Sequence, residues 1–296
     1  MAAHHAPHAS GHPDHASEHL DWETRGDELE RQEDVNAPWV DAALRWLTEL
    51  ISADSVRTVI DLGSGPGGDA GRLATHFPHA QVLAVDRASA LLERARMRFE
   101  RLGLRERADT RVVDLAGDLR ELPAADLIWA SHVLHHVPDR EGTLARLSAT
   151  LRPGGLLAVV EGGLPARFLP EECGVGEPGL LSRLDAAPVE VISHLHGHGY
   201  AARTAWDWPV LLGDAGLEPV RSRSFLLDLP APVDPQVRAH VVGRLTTLRT
   251  VMSDHLSASD RAALERLLDP DEPLGVHRRQ DLFYLRAVTV HAARRR

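Results

Sequence analysis

The chain has 296 residues, a formal charge of −10 and 43% hydrophobic content, which is ample for a large core and argues against general nucleic-acid binding. All 33 of its basic residues are arginine, which excludes a phosphate-loop lysine, a Schiff-base lysine and a lysine general base. Cys173 stands alone, so an intrachain disulfide and a cysteine-built zinc site are excluded, and no apolar run approaches the roughly 18 residues of a membrane span.

Residues 1–20 mix alanine, proline and glycine with His4, His5, His8, His12, His15 and His19, irregularly spaced. A disordered arm is the expectation, in preference to a metal site. Over 21–55 a helical cover is predicted, with Asn36 as its cap and Pro38 in its first turn. Val40, Leu44, Leu47 and Ile51 form one apolar stripe and Trp39, Ala43, Trp46 and Leu50 a second, so both sides of this helix should be covered.

The run Val59-Ile60-Asp61-Leu62-Gly63-Ser64-Gly65-Pro66-Gly67-Gly68 is a buried-strand signal entering a glycine-rich turn and a helix. Gly63 and Gly65 permit positive φ and close approach of backbone to a ligand, and the turn and helix N–H groups favour a negative group there. Gly63, Gly65 and Gly68 also fit a dinucleotide-type spacing, so the turn alone leaves two nucleoside cofactor classes open. A second strand, Gln81–Val85, ends in Asp86, whose two oxygens suit a ribose diol; Ser89 is expected to cap the following helix and Gly103 to stop it. A third strand is predicted to end at Asp114-Leu115, where a carboxylate and a leucine can read the edge and face of an adenine. Asp118 is the alternative to Asp114.

The strand Ala125–Ala130 then runs into Ser131-His132-Val133-Leu134-His135-His136, and Asp139 opens a helix that Arg152-Pro153-Gly154-Gly155 turns into the strand Leu156–Glu161. This ordered set resembles the class I S-adenosylmethionine-dependent methyltransferase family over residues 56–161, with a continuation at Asp214–Val220. The resemblance implies an α/β fold: a Rossmann-like, doubly wound, mostly parallel seven-stranded sheet with an antiparallel last strand, plus helical lid elements. It implies S-adenosylmethionine as cofactor, S-adenosylhomocysteine as product, and cofactor binding by Asp61, Gly63, Ser64, Gly65, Asp86, Arg87, Asp114, Leu115, Ala130 and Ser131. Asp61 has an alternative role, as a carboxylate that only braces the glycine turn.

Residues 162–208 break the strand–helix rhythm, and an insertion there would lie over the strand ends and help form the acceptor pocket. Its His194, His196 and His198 alternate, yet no carboxylate at matching spacing supports a metal, and none is predicted. The span 231–280 reads as a helical lid insertion: Asp234 and Pro235 open one helix, and Ser257 with Asp260 caps the next. Leu282–Val290 is then a strand apolar on both faces, hence central. The core is accordingly expected at 56–230 and 281–291.

Methyl transfer to oxygen, nitrogen or activated carbon commonly needs a proton removed, and histidine suits that work near neutral pH. His135 and His136 are the catalytic candidates, as a base or as a wall of the donor site; Tyr200 is a weaker one. The function implied is methylation of a small molecule, on O or N, with neither nucleic acid nor membrane as partner, a homodimer allowed and the cytoplasm as the expected location. An NAD(P)-dependent oxidoreductase and a non-catalytic S-adenosylmethionine-binding protein are the competing readings.

Overall fold

The computed structural model describes residues 22–186 and 207–296. The arm at 1–20 and His194, His196, His198, Tyr200 and Trp206 of the insertion lie outside the described residues.

The first helix, α1 (Trp22–Leu50), is longer than the sequence suggests, since it runs straight through Asn36 and Pro38. Its charged first half is held by α3 (Ser89–Arg101): Arg94 pairs with Asp27 and Glu30 at 2.7 and 3.1 Å, and Arg98 with Glu33 at 2.9 Å. Proline removes one helical N–H, but the Asn36 side chain stays inside the helix, donating to the Gln32 carbonyl at 2.7 Å and accepting Trp39 Nε1–H at 3.0 Å. Asn36 is thus an internal bridge, where the sequence had suggested a cap. Trp39, Val40, Ala43, Leu44, Trp46 and Leu47 are all buried, as the double stripe requires.

Beyond α1 the chain alternates β1 (Thr58–Leu62), α2 (Gly68–His76), β2 (Gln81–Asp86), α3, β3 (Ala108–Val112), β4 (Ala125–Ser131), α4 (Arg140–Thr150) and β5 (Leu151–Arg167). The described chain resumes with α5 (Trp208–Asp214), β6 (Leu217–Leu229), α6 (Pro235–Met252), α7 (Ala258–Leu268) and β7 (Tyr284–Arg295). One seven-stranded sheet results, in the order β3-β2-β1-β4-β5-β7-β6. Strands β1 to β5 pair in parallel, and β7 lies antiparallel between β5 and β6. The doubly wound sheet with an antiparallel last strand is therefore observed.

Successive strand residues feed opposite faces. Val59, Val82, Ala84, Leu127 and Trp129 pack with α1 and α2, whereas Ile60, Leu62, Val85, Ile128 and Ala130 pack on the α4 side. Asp61 falls in this alternation on the α1 face, a carboxylate amid core residues.

Several local expectations change. Ser89 is the first helical residue and the cap position is Ala88, with no side-chain bond, because the Asp86 carboxylate already accepts the Ala88 N–H at 2.9 Å. β3 stops at Val112, short of Asp114, although the Val113 N–H still reaches the Asp86 carbonyl at 3.0 Å. Asp139, Asp234 and Ser257 do cap α4, α6 and α7 through side-chain acceptors. Asp260 does not close a reciprocal box; its carboxylate takes Arg183 at 2.8 Å.

Candidate active site

The parallel strands end together, and the turn after β1 explains why. Gly63, Gly65 and Gly67 have φ of 65°, 52° and 83°, so the third left-handed residue is Gly67 and not Gly68. A side chain at Gly63 would strike Val133 at 2.6 Å, which ties this turn to the segment after β4. Gly68 is needed for space instead, because a Cβ there would lie 2.6 Å from Glu33 Oε2 and 2.5 Å from the Arg98 guanidinium. The turn is locked from β2: the Asp86 carboxylate accepts the Gly65 N–H at 3.0 Å, and the Ser64 N–H reaches the Val85 carbonyl at 3.0 Å.

Around the turn lies a group of carboxylates. Asp61, Glu33 and Asp69 all have pKa values raised by burial; in Asp61 the charges of Asp69, Glu33 and Asp86 add to it. Asp69 accepts Trp129 Nε1–H at 2.9 Å and Glu33 takes Arg98, but Asp61 Oδ2 and the Ser64 hydroxyl are buried with no hydrogen-bond partner. A buried polar atom without a hydrogen bond costs about 1–3 kcal/mol, so Asp61 Oδ2 and the Ser64 hydroxyl are open to a ligand that brings a donor, and beside these carboxylates a positively charged donor suits best. S-adenosylmethionine carries an α-ammonium and a charged sulfur, and these residues fit it.

Asp86 is partly exposed and each of its oxygens already accepts one backbone N–H, which leaves acceptor capacity for a diol. Arg87 beside it is exposed. Asp114 is exposed, accepting the Ala116 N–H at 2.9 Å, and Leu115 is buried. Asp118 is engaged by Arg120 at 2.6 Å, which lowers its pKa to about 2, so Asp114 is the less committed of the two carboxylates. Ala130 is buried and Ser131 half-buried at the end of β4, which the parallel register sets beside the end of β1.

Leu134–His136 form a single 3-10 turn, so His132 does not share a helical side with the other histidines; it takes a left-handed backbone with φ of 53°. His135 Nδ1 lies 3.0 Å from both carboxylate oxygens of the buried Glu161, at the end of the parallel stretch of β5. A carboxylate only accepts, so that nitrogen bears the proton. The exposed His136 ring lies 4.0 Å from the His135 ring.

Past Glu161, β5 and β7 continue beyond the parallel strands and wall a cavity of about 280 Å³ with α1 and α6. Gln32, Gly162–Ala166, His240, Arg244, Tyr284 and Arg286 line it. His240 Nε2 and the Tyr284 hydroxyl are 3.2 Å apart, and burial together with Arg244 and Arg286 lowers the His240 pKa to about 4. Arg286 is itself shifted down by burial; Nη2 is 3.0 Å from His132 Nε2, and Nη1 donates to Asn36 Oδ1 at 3.4 Å. Among the described residues no carboxylate pairs with Arg286, whereas Arg244 is bonded to Asp185 at 2.9 Å. Sequence reading missed Glu161, His240, Arg244 and Arg286.

Among the described residues no His, Cys, Asp and Glu group could hold a metal, and no helix is long and apolar enough to cross a membrane. Residues 60–157 match the model of a methyltransferase domain. A trans-aconitate 2-methyltransferase from Methylobacterium radiotolerans is 33% identical over 212 residues, 65% of this chain and 77% of that protein. A second, from Variovorax paradoxus, is 41% identical over 101 residues, only 34% of this chain and 37% of its own. In fold the chain is similar to a Bacillus halodurans C-125 structure (TM-score 0.52, 17% identity, 86% of this chain and 99% of that one). It is also similar to the cyclase SpnF (TM-score 0.50, 19% identity, 86% and 80%), so the fold by itself does not choose the reaction. The glycine turn at the ends of this sheet, the matched methyltransferase domain and a relative covered over 77% of its length place the chain in the class I S-adenosylmethionine-dependent methyltransferase family.

Proposed function

We propose that the acceptor is a small anionic acid and that a carboxylate oxygen is the atom methylated, with trans-aconitate, named in two relatives, as the first acid to try. One observation carries the reading: Arg286 keeps its charge in a partly enclosed cavity beyond the strand ends without a carboxylate partner among the described residues. A half-buried cation with no counter-ion is costly, and a bound anion lowers the cost. S-adenosylmethionine supplies a methyl group on positive sulfur, which a carboxylate oxygen takes in one displacement that leaves the C–S electron pair on sulfur.

On this reading Asp61 and the turn hold the amino-acid tail of the cofactor, Asp86 the ribose, and Asp114 with Leu115 the adenine. Gly63, Ser64 and Gly65 bring the backbone against it; Ala130 and Ser131 close its far side, and Arg87 lies at the rim. The helices of 21–55 and 231–280 act as cover, excluding water from the cavity between them. A carboxylate is already ionised near neutral pH, so no proton need be removed, and His135 and His136 serve as a wall of the donor site. The His135–Glu161 pair favours a second reading, methylation of a hydroxyl with His135 as base.

The test is turnover with S-adenosylmethionine and trans-aconitate, read as a monomethyl ester by mass spectrometry. Arg286→Gln is expected to lower kcat/KM about a hundredfold, ~2.7 kcal/mol, while S-adenosylhomocysteine affinity by calorimetry changes less than about threefold. Ester formation undiminished in Arg286→Gln, or methylation of a neutral alcohol in preference to every acid tried, would sink the reading.

A further inference from the structure

We propose that His132 is a positioning residue for the acceptor: as a neutral hydrogen-bond acceptor it aims the Arg286 guanidinium into the cavity without cancelling its charge. The inference rests on the carboxylate-acceptor reading and adds the residue that sets its geometry.

Three observations meet at this side chain. Among the described residues His132 is the one non-glycine with positive φ, a conformation that costs on the order of 1 kcal/mol and persists only where the surroundings enforce it. Its own N–H is bonded to the Val160 carbonyl at 3.0 Å, which fixes the kink at the end of β4. The kinked residue then reaches β7, where Nε2 meets Arg286 Nη2 at 3.0 Å. Because a guanidinium has no acceptor, His132 Nε2 must accept and Nδ1 must carry the single ring proton.

The charges facing this ring keep it in that form. Burial and Arg286 push its pKa down to about 4; His135 and His136 act in the same direction, and Glu161 opposes them. On the other side of the guanidinium Asn36 Oδ1 accepts Nη1, a second neutral partner. The Tyr284 hydroxyl is a third neutral partner; such neutral groups orient a guanidinium and leave its charge for a ligand, whereas an aspartate in place of His132 or Asn36 would consume it. Arg244 is the contrast, since Asp185 and Arg167 surround it with charge.

The experiment compares His132→Leu, which cannot accept, with His132→Gln, whose amide oxygen can. With trans-aconitate, His132→Leu is expected to raise KM about tenfold with less than about a threefold loss in kcat, and His132→Gln to recover most of the difference. Calorimetry with S-adenosylhomocysteine should show no matching loss, which separates positioning from damage to the fold. Equal KM values in wild type and His132→Leu, or a glutamine variant as impaired as the leucine one, would overturn the role of His132 alone. A wild-type protein that binds no tricarboxylate overturns the acceptor reading and this inference with it. A further readout needs no acceptor: histidine ring NMR should find His132 neutral at pH 6, with a midpoint near 4 that moves upward in Arg286→Gln. An unmoved midpoint would show that the two side chains do not meet.

Discussion

The two ends of the cleft are opposites. At the glycine turn Glu33, Asp61 and Asp69 crowd together, their ionised forms penalised by burial, and the charges of Asp69, Glu33 and Asp86 add to the penalty on Asp61. At the cavity wall Arg286 has only neutral partners, and His240 stays uncharged beside it. Arg98 and Trp129 answer Glu33 and Asp69, but Asp61 Oδ2 at one end has no donor and Arg286 at the other has no counter-ion among the described residues. Such stored imbalance is a feature of functional sites, where a ligand supplies what the fold withholds.

The sharpest way to break this contrast is at the turn. Asp86→Ala removes the acceptor of the Gly65 and Ala88 N–H groups as well as the proposed ribose contact. Calorimetry should show S-adenosylhomocysteine affinity down about a hundredfold, ~2.7 kcal/mol. An affinity within about threefold of wild type would remove Asp86 from the cofactor site.

The neutral histidine offers a test through pH. The His240 pKa is about 4 when folded against an ordinary 6.5, so between those values the unfolded chain binds the extra proton. Its contribution to stability is complete above pH 6.5 and is lost as pH falls toward 4. The carboxylates with raised pKa act oppositely in part of that window, so the useful quantity is a difference. The stability of wild type relative to His240→Phe, from urea unfolding, should shrink by about 2 kcal/mol between pH 7 and pH 4.5. A constant difference would mean that His240 titrates normally.

Smaller effects sharpen the picture. Gly63→Ala forces a side chain onto positive φ and against Val133, and should cost about 1–2 kcal/mol in thermal or urea unfolding. Arg244→Gln should raise the trans-aconitate KM only about fivefold, less than Arg286→Gln, because Asp185 already takes up part of its charge. Equal losses in the two arginine variants would show that pairing does not distinguish them.

The glycine turn proposed to hold the cofactor was legible as a structure because its signals are local: Asp61, the glycines and Asp86 lie within 26 residues, and each is a requirement of one turn or one strand end. The cavity was not, since Gln32, Gly162, His240 and Arg286 meet only through the sheet and α6. One clue was present: Arg286 sits within Leu282–Val290, an otherwise apolar central strand, where a charge calls for a reason. The length of α1 was hidden similarly, because Asp27, Glu30 and Glu33 look like a solvated run until Arg94 and Arg98 arrive from α3.

The cavity wall is made of β5 and β7, the antiparallel pair next to the β6 edge of the sheet, and at Gly163 they come so close that a Cβ would press on the Ala287 carbonyl and the Val288 backbone. That wall has little freedom to drift, since any side chain at Gly163 would part the two strands. Helix α6, docked by its own buried face, contributes His240 and Arg244 from outside the sheet. Diversification within such a scaffold should therefore accumulate on the helical side, where the cavity could be reshaped without disturbing the glycine turn at the strand ends.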